Sequence, residues 1–200
     1  MARLPIRPVK LPKDLAGQSN GALSPTLLRP VDGGKLHHLA AAAWKAMVRA
    51  AKSDGITLKP TSAADTFRPL EVQERGFLNR YDNTKRMSKP RTYRGKLYWL
   101  KPGNAPMAVP GTSNHGWGLA VDVANIDQAK VEWLLKNAAS YGFSWELQNE
   151  PWHLRYVAGD KFPEAAVGSV APQKKTVAAP AKKAPAKKTA KKAVKKAVKK

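Results

Sequence analysis

The chain has 200 residues, a length that suits one domain of ordinary size with some chain left over. It contains no cysteine, which excludes disulfides and thiolate chemistry and leaves His, Asp and Glu as the candidate metal ligands. The net charge of +22 is unevenly distributed, because residues 171–200 hold 12 lysines and no acidic residue. Both the basic body and the strongly basic tail should therefore favour anionic partners.

The first half of the chain predicts two helices after an irregular start. Residues 1–34 are rich in Pro and Gly and are expected to form an extended, partly ordered lead-in. The segment KLHHLAAAAWKAMVRAAKSDG (35–55) predicts a helix, and residues 56–63 a short strand. Residues 65–81 predict a turn that opens a second helix, with Pro69 in the first turn, where its missing N–H does no harm.

The second half predicts a loop followed by strands around one helix. Residues 82–112 are expected to form a long loop with a short hairpin-like stretch, since Pro and Gly recur there. GLAVDVAN (118–125) alternates as a strand does, and 126–142 is the clearest helix. Residues 143–157 predict one or two further strands. The fold class is therefore α+β, with a small antiparallel sheet and flanking helices.

The composition changes at about residue 168, where a low-complexity sequence of Ala, Lys and Pro begins. Without large apolar residues, nothing there offsets the entropy of ordering, so this tail is expected to be disordered when free. The predicted organisation is a lead-in over 1–34, a folded domain over 35–167 and a polycationic tail over 168–200. Neither a signal peptide nor a transmembrane segment is visible in the sequence.

Four histidines are the candidate metal ligands to consider first. His37 and His38 are adjacent on a predicted helix, where side chains point about 100° apart, so they are interpreted as surface or boundary residues. His115 and His153 differ, because each lies near a carboxylate at the edge of a predicted strand.

The stretch SNHGWGLAVD places His115 in a turn and Asp122 on the following strand. In an extended chain these two residues would lie roughly 23 Å apart. They can reach one ion only if Gly116 and Gly118 let the backbone fold back. Taken alone, the stretch fits either a strand-entry turn with one polar anchor or part of a metal site.

The stretch NEPWHLRY places Glu150 three residues before His153. A glutamate so close to a metal-binding histidine is suited to proton transfer in hydrolysis. The alternative is that Glu150 and His153 are polar residues around a turn, with Trp152 packed in the core. The spacing alone does not decide between the two.

Together the two stretches resemble the zinc D-alanyl-D-alanine carboxypeptidase family of bacteria and phages. SNHGWGLAVD fits the pattern S-x-H-x-x-G-x-A-x-D at every fixed position, and EPWH fits E-x-W-H about thirty residues downstream. The family includes D,D-carboxypeptidases, D,D-dipeptidases and L-alanyl-D-glutamate endopeptidases of peptidoglycan. The resemblance extends over residues 55–158 and includes FRPLEVQ, which matches an arginine-containing segment of the family.

The resemblance implies a metal site and its supporting residues. By position, His115, Asp122 and His153 would bind Zn²⁺. Glu150 would be the general base, and Arg68 would stabilise charge on the scissile carbonyl, with Arg75 and Arg80 as alternatives to Arg68. Ser113 would support the substrate or a ligand. Trp152 and Trp117 would shape the pocket or pack in the core.

Two functions from different classes follow. The first is a zinc peptidase that cuts peptidoglycan stem peptides, an endolysin-like enzyme made in the cytoplasm and released to the wall by phage-type lysis. The second is a non-catalytic protein that binds DNA or RNA through its lysine-rich tail, with steep salt dependence and no sequence preference. For the enzyme, the tail would instead hold the protein on anionic wall polymer or membrane surface.

Overall fold

The computed structural model describes residues 3–167 of the chain, and the predicted polycationic tail lies outside them. Its helices are α1 (His38–Ser53), α2 (Leu70–Arg80), α3 (Gln128–Asn137) and the single turn α4 (Glu164–Val167). Its strands are β1 (Leu28–Val31), β2 (Gly34–His37), β3 (Tyr81–Asp82), β4 (Arg91–Tyr93), β5 (Lys96–Leu100), β6 (Ala120–Asp122), β7 (Phe143–Trp145) and β8 (His153–Tyr156). None of the described helices has the length and apolarity that a membrane span needs.

The strands form three small antiparallel sheets, which confirms the predicted α+β class. β1 pairs with β2, the second sheet has the order β3-β5-β4, and the third has the order β6-β8-β7. The third sheet places Asp122 directly opposite His153 in the β6–β8 register. Two residues that are far apart in sequence are therefore cross-strand neighbours.

The main core lies between α1 and the β6-β8-β7 sheet. The buried face of α1 follows the helical repeat, since Ala40, Trp44, Met47 and Ala51 are spaced by three or four residues. Trp44 meets Phe143 of β7 edge-on, with ring centroids 5.9 Å apart. Burial of side chains of this size contributes roughly 1.5–3 kcal/mol each, which fixes the helix against the sheet.

Helix α1 begins three residues later than the sequence predicts. The sequence predicts residues 35–37 as helical, but Gly34–His37 pair with Leu28–Val31 as a hairpin. Backbone pairing with a neighbouring strand therefore overrides the helical preference of this short segment. As a result, His37 ends a strand and His38 starts the helix.

The N-terminal segment is more closely integrated than an extended lead-in. Leu4, Leu15 and Leu23 are buried in the main core. The backbone of Ile6 bridges Trp145 of β7 in parallel, and the Leu4 backbone exchanges two hydrogen bonds with the Gln148 side chain. The segment thus covers the outer edge of the β6-β8-β7 sheet.

Two other predicted elements differ from the structure. Residues 56–63 form no strand; they run beside β6 with one isolated bridge, between Pro60 and Val123. Residues 82–112 do contain a hairpin, formed by β4 and β5, but they are more ordered than a loop with one hairpin, because β3 (Tyr81–Asp82) also pairs with β5 to make a three-stranded sheet. That sheet packs on a second small core of Phe77, Tyr81 and Met107, so its order comes from contacts with α2 that local sequence does not reveal.

Candidate metal centre

The turn that carries His115 is a 3-10 turn over Asn114–Trp117, held by hydrogen bonds from three separate segments. Its backbone carbonyls accept hydrogen bonds from backbone N–H groups elsewhere in the fold. Arg68 N donates to His115 at 2.9 Å, Gly21 N donates to Gly116 at 2.8 Å, and His37 N donates to Gly118 at 2.9 Å. The position of His115 is therefore set by tertiary contacts as well as by its own turn.

Both glycines of this turn are needed, for different reasons. Gly118 has φ +62°, a left-handed conformation that other residues rarely adopt, and it reverses the chain into β6. Gly116 lies against the buried pair Asn20 and Gln73, and a Cβ at Gly116 would be 2.0 Å from the Asn20 Oδ1 atom. The chain reversal at these glycines brings His115 close to Asp122, which is the condition for the two residues to bind one ion.

Three side chains converge at the end of the β6-β8-β7 sheet. His153 Nδ1 lies 2.7 Å from Asp122 Oδ1, and His115 Nε2 lies 3.4 Å from Asp122 Oδ2. One donor atom from each residue lies within 4.8 Å of the others. The two imidazoles are almost fully buried, and Asp122 is partly exposed. Two imidazole nitrogens and a carboxylate are a donor set that suits Zn²⁺.

The outer nitrogen of each imidazole also has a partner. His115 Nδ1 lies 3.0 Å from the carbonyl oxygen of Thr66, and His153 Nε2 lies 3.0 Å from Glu146 Oε2. Metal-binding histidines almost always donate their second N–H to such an acceptor, which fixes the tautomer and the ring orientation. The ring nitrogens that face Asp122 are thus the ones left to bind an ion.

The charges in this cluster reinforce one another. Burial alone would raise the pKa of the Asp122 carboxyl, but hydrogen bonds from His115 and His153 hold this pKa well below its usual range. Burial alone would lower the pKa of His153, but hydrogen bonds to Asp122 and Glu146 outweigh it and raise the pKa to about 9. In the metal-free protein, a positive imidazolium therefore lies between two carboxylates, a position where a cation is stabilised.

The site opens into a cavity of about 410 Å³. The seven residues that the family resemblance assigns first to the metal, to catalysis or to substrate support all line this cavity. They are Arg68, Ser113, His115, Asp122, Glu150, Trp152 and His153. Arg80 also lines the cavity, whereas the other alternative arginine, Arg75, and the other tryptophan, Trp117, do not.

The residues predicted to support the metal ligands differ in burial and in how their side chains are held. Arg68 is mostly buried, and its guanidinium is fixed by the Ala64 carbonyl at 2.8 Å and Asp65 at 3.1 Å. Glu150 lies in the β7–β8 connection, on the cavity wall. Trp152 is 39% exposed at the cavity wall, so the alternative that it packs in the core is wrong. Trp117, in contrast, packs against the main core.

Glu146 is a site residue that sequence reasoning missed. Besides His153, it accepts hydrogen bonds at 2.7 Å from the amide of Asn114, the neighbour of His115, and it lies 3.5 Å from Arg155. The hydrogen bond from His153 is the main cause that lowers the pKa of the Glu146 carboxyl. Glu146 thus links the two histidine-bearing segments. A carboxylate directly after a buried strand was the available signal.

A second group of three potential ligands lies elsewhere, where the N-terminal segment meets α1. Asp14 Oδ1 lies 3.0 Å from His37 Nε2, and Asp14 Oδ2 lies 2.7 Å from His38 Nε2. The expectation that the two histidines point apart on one helix is therefore wrong, because only His38 belongs to the helix. The buried outer nitrogen of His37, Nδ1, has no hydrogen-bond partner within residues 3–167. Among the described residues, His37 therefore has no outer contact of the kind that both histidines of the first group make.

Comparisons with known proteins agree with the geometry. The sequence model of the family "VanY: D-alanyl-D-alanine carboxypeptidase" matches residues 33–159. A D-alanyl-D-alanine carboxypeptidase of Enterococcus faecalis (strain ATCC 700802 / V583) is 40% identical over an alignment that covers 26% of this chain and 25% of that protein. The match thus spans about a quarter of the length of that curated relative.

Solved structures of peptidoglycan enzymes resemble this fold. The LD-carboxypeptidase LdcB, whose structure is described as revealing peptidoglycan recognition, is 26% identical, with a TM-score of 0.50, and the match covers 73% of each chain. A mutant of the D,D-pentapeptidase VanY in complex with Zn(II) is 20% identical, with a TM-score of 0.45, over 78% of this chain and 86% of that one. Because the family match covers well over half of the chain, this protein belongs to the VanY D-alanyl-D-alanine carboxypeptidase family.

Proposed function

We propose that this protein is a zinc-dependent peptidase that hydrolyses peptidoglycan stem peptides, as a D-alanyl-D-alanine carboxypeptidase or an L-alanyl-D-glutamate endopeptidase. One observation carries the proposal: His115, Asp122 and His153 converge in a cavity whose wall also holds Glu150 and Arg68. Membership of the VanY family supports the same reaction class.

The residues present fit a zinc ion. His115, Asp122 and His153 would hold it, with the two imidazole rings fixed from behind by the Thr66 carbonyl and Glu146. When bound by three protein ligands, zinc supplies a Lewis acid and a nucleophile that is active at neutral pH. The cavity beside these ligands leaves room for a peptide.

The remaining residues would handle the proton and the developing charge. Glu150 would take up a proton during attack on the peptide bond and return one to the leaving amine. Arg68, already held by Asp65 and the Ala64 carbonyl, would donate to the carbonyl oxygen as negative charge develops there. Ser113 and Trp152 would contact the bound peptide from the cavity wall.

Substitution of Glu150 tests this assignment. We expect Glu150→Gln to lower the release of D-alanine, or of shortened muropeptides, by at least about a hundredfold, since general acid–base catalysis contributes 10²–10⁴. Zinc content should stay at the wild-type level, because Glu150 is not among the ligands. The matched control is Glu71→Gln, an exposed glutamate on α2.

Mass spectrometry of muropeptides before and after digestion provides the measurement, since the mass lost identifies the bond that is cut. Turnover by Glu150→Gln equal to that of the control would refute the assignment of the general base. Loss of zinc from the same variant would show that Glu150 acts as a ligand instead.

We also propose an endolysin-like role in wall degradation, to which the lysine-rich tail contributes by binding anionic polymer. The 12 lysines of residues 171–200 support this, since a polycation raises the local concentration of an enzyme at an anionic substrate. If the enzyme cuts within the stem peptide, as an endopeptidase does, purified sacculi should lose turbidity when the zinc-loaded protein is added. A protein that cleaves soluble peptides but leaves sacculi intact would not have this role.

A further inference from the structure

The cavity wall holds three arginines, Arg68, Arg80 and Arg91. Among the residues that the structure describes, Arg68 alone of the three pairs with an acid, Asp65. Within residues 3–167, Arg80 and Arg91 form no ion pair with a carboxylate. Two positive charges therefore face the same cavity as the candidate metal ligands without being neutralised.

The neighbouring acids are already engaged by other cations. In the same part of the chain, Asp82 pairs with Arg86 at 3.0 Å, and Glu74 pairs with Arg94 at 2.6 Å. Arg94 is 71% exposed and Arg86 36%, so these pairs lie at the surface. The half-buried arginines of the cavity are the ones left unpaired, although burial makes an unpaired charge more costly.

Among the described residues, none of the four acids of the cavity wall forms an ion pair with Arg80 or Arg91; these acids are Asp65, Asp122, Glu146 and Glu150. Asp122 contacts both histidines, and Glu146 contacts His153 and Asn114. The wall is therefore divided by charge. The carboxylates and imidazoles come mainly from the β6-β8-β7 sheet and its connections, and the two arginines come from α2 and β4.

Both arginines lie on regular secondary structure. Arg80 is the last residue of α2, and its carbonyl accepts a hydrogen bond from Lys101 N at 2.9 Å. Arg91 starts β4, and its guanidinium lies 5.8 Å from the ring centroid of Tyr81. That ring is buried and stacks on Phe77 at a centroid distance of 4.4 Å. Guanidinium groups that line one cavity suit a planar anion such as a carboxylate, to which each can donate two hydrogen bonds.

We propose that Arg80 and Arg91 form a subsite that binds a carboxylate of the peptide substrate. This inference rests on the proposed peptidase function and narrows its substrate class to acidic peptides. Two carboxylates of a stem peptide have the required chemistry: that of the C-terminal residue and that of the internal glutamate. The first would make the enzyme a carboxypeptidase, because the cut bond would then lie next to a free C-terminus.

Binding of defined peptides to an inactive zinc-loaded protein tests the subsite. The full chain with Glu150→Gln is titrated by calorimetry with three N-acetylated pentapeptides based on Ala-D-Glu-Lys-D-Ala-D-Ala. One has a free C-terminal acid with glutamine in place of glutamate. The second has a C-terminal amide with the glutamate retained. The third has the amide and the glutamine, and so has neither carboxylate.

We expect one of the first two peptides to bind about tenfold to a hundredfold more tightly than the third, the range for a charge-assisted hydrogen-bonded pair. Adding Arg91→Gln or Arg80→Gln should remove that preference and leave the affinity for the third peptide unchanged. Arg94→Gln, a surface arginine on the same hairpin, should retain it. Thermal unfolding of each variant separates loss of the subsite from loss of the fold.

Equal binding of all three peptides would overturn the inference, as would a preference that survives both cavity substitutions, or no binding of any peptide. The proposed function is judged separately, by peptide cleavage with the wild-type protein. A wild-type enzyme that cleaves muropeptides but does not discriminate the three peptides would remain a peptidase without this subsite.

Discussion

His153 contacts one carboxylate through each of its ring nitrogens. Nδ1 faces Asp122, and Nε2 faces Glu146. The contact with Glu146 decides which nitrogen can bind an ion. A proton held on Nε2 leaves Nδ1 as the ring nitrogen with a lone pair for the metal. Glu146 is thus assigned the role of a positioning residue in the proposed zinc site.

Substitution of Glu146 tests that role by metal affinity. Glu146→Ala should weaken zinc binding about 10- to 100-fold, the usual cost of losing an outer partner of a metal-binding histidine. Glu146→Gln should weaken it less, because the amide oxygen can still accept the Nε2 proton. Competition with a chromogenic chelator measures both, and Glu132→Gln, on the surface of α3, is the control. Zinc affinities equal to wild type in both variants would contradict the role.

The two groups of potential ligands give a matched comparison between aspartates. Asp122→Asn should abolish tight zinc binding, since it removes the only carboxylate among the three converging residues. Asp14→Asn should leave one zinc per chain, because the outer nitrogen Nδ1 of His37 has no acceptor to orient the ring. Metal analysis by mass spectrometry after dialysis gives the stoichiometry. Two zinc ions per wild-type chain, reduced to one by Asp14→Asn, would show that both groups bind metal.

At the scale of elements, the junction of β2 and α1 makes stability sensitive to pH. His37 is fully buried there, and its burial is the main reason that its pKa lies below the ordinary value, despite the attraction of Asp14. The other charged or titratable groups near it are His38, whose ring lies 4.4 Å away, and Asp160. The folded protein therefore holds His37 neutral at a pH where the unfolded chain already protonates it.

The direction in which His37 changes stability with pH follows from the number of protons that the folded and unfolded states bind. Between the lowered folded pKa of His37 and the unfolded value of 6.5, the unfolded state binds more protons at this residue, so the contribution of His37 to the free energy of unfolding falls as the pH falls below 6.5. The loss from one group cannot exceed about 1.4 kcal/mol per pH unit. Urea unfolding between pH 6.5 and 5 in the presence of a chelator measures it, and His37→Gln should reduce the slope. A pH slope of the same size in His37→Gln as in the wild-type protein would refute the prediction.

The connections between elements also explain how far sequence reasoning reached. Helix α3 was predictable because its signals are local: Asp127 accepts from Lys130 N as its cap, and Gly142, at φ +77°, ends the turn that follows the helix. The sheet of residues 81–100 was not predictable, because its strands are short and depend on packing against Phe77 of α2. Short strands rich in charge have no local pattern that separates them from a loop.

At the scale of the whole molecule, the folded part and the tail should contribute separately to activity. A chain that ends at residue 167 keeps the main core, the cavity and both groups of ligands. It should cleave small soluble peptides at a rate within about twofold of the full chain, because none of the seven proposed site residues is removed. Its activity on whole walls should fall, most strongly at low salt, where polycation binding is tightest.

Hydrolysis of bonds in sacculi and cleavage of a soluble stem peptide, both followed by mass spectrometry over a range of salt concentrations, measure the two activities side by side. Equal wall activity of the two chains at every salt concentration would show that the tail has no part in wall binding. Loss of small-peptide cleavage on truncation would show that the tail belongs to the active site.

The sequence alone indicated the family, because the spacing within S-x-H-x-x-G-x-A-x-D and E-x-W-H is a property of the chain and needs no coordinates to read. It also located the helices whose caps and apolar repeats are local. Tertiary structure decided which residues surround those motifs. Glu146 reaches His153 across the β7–β8 connection, and Arg91 reaches the cavity from a hairpin that packs on α2. Contacts between segments far apart in the chain depend on how the elements pack, and packing leaves no periodic signal in a single sequence.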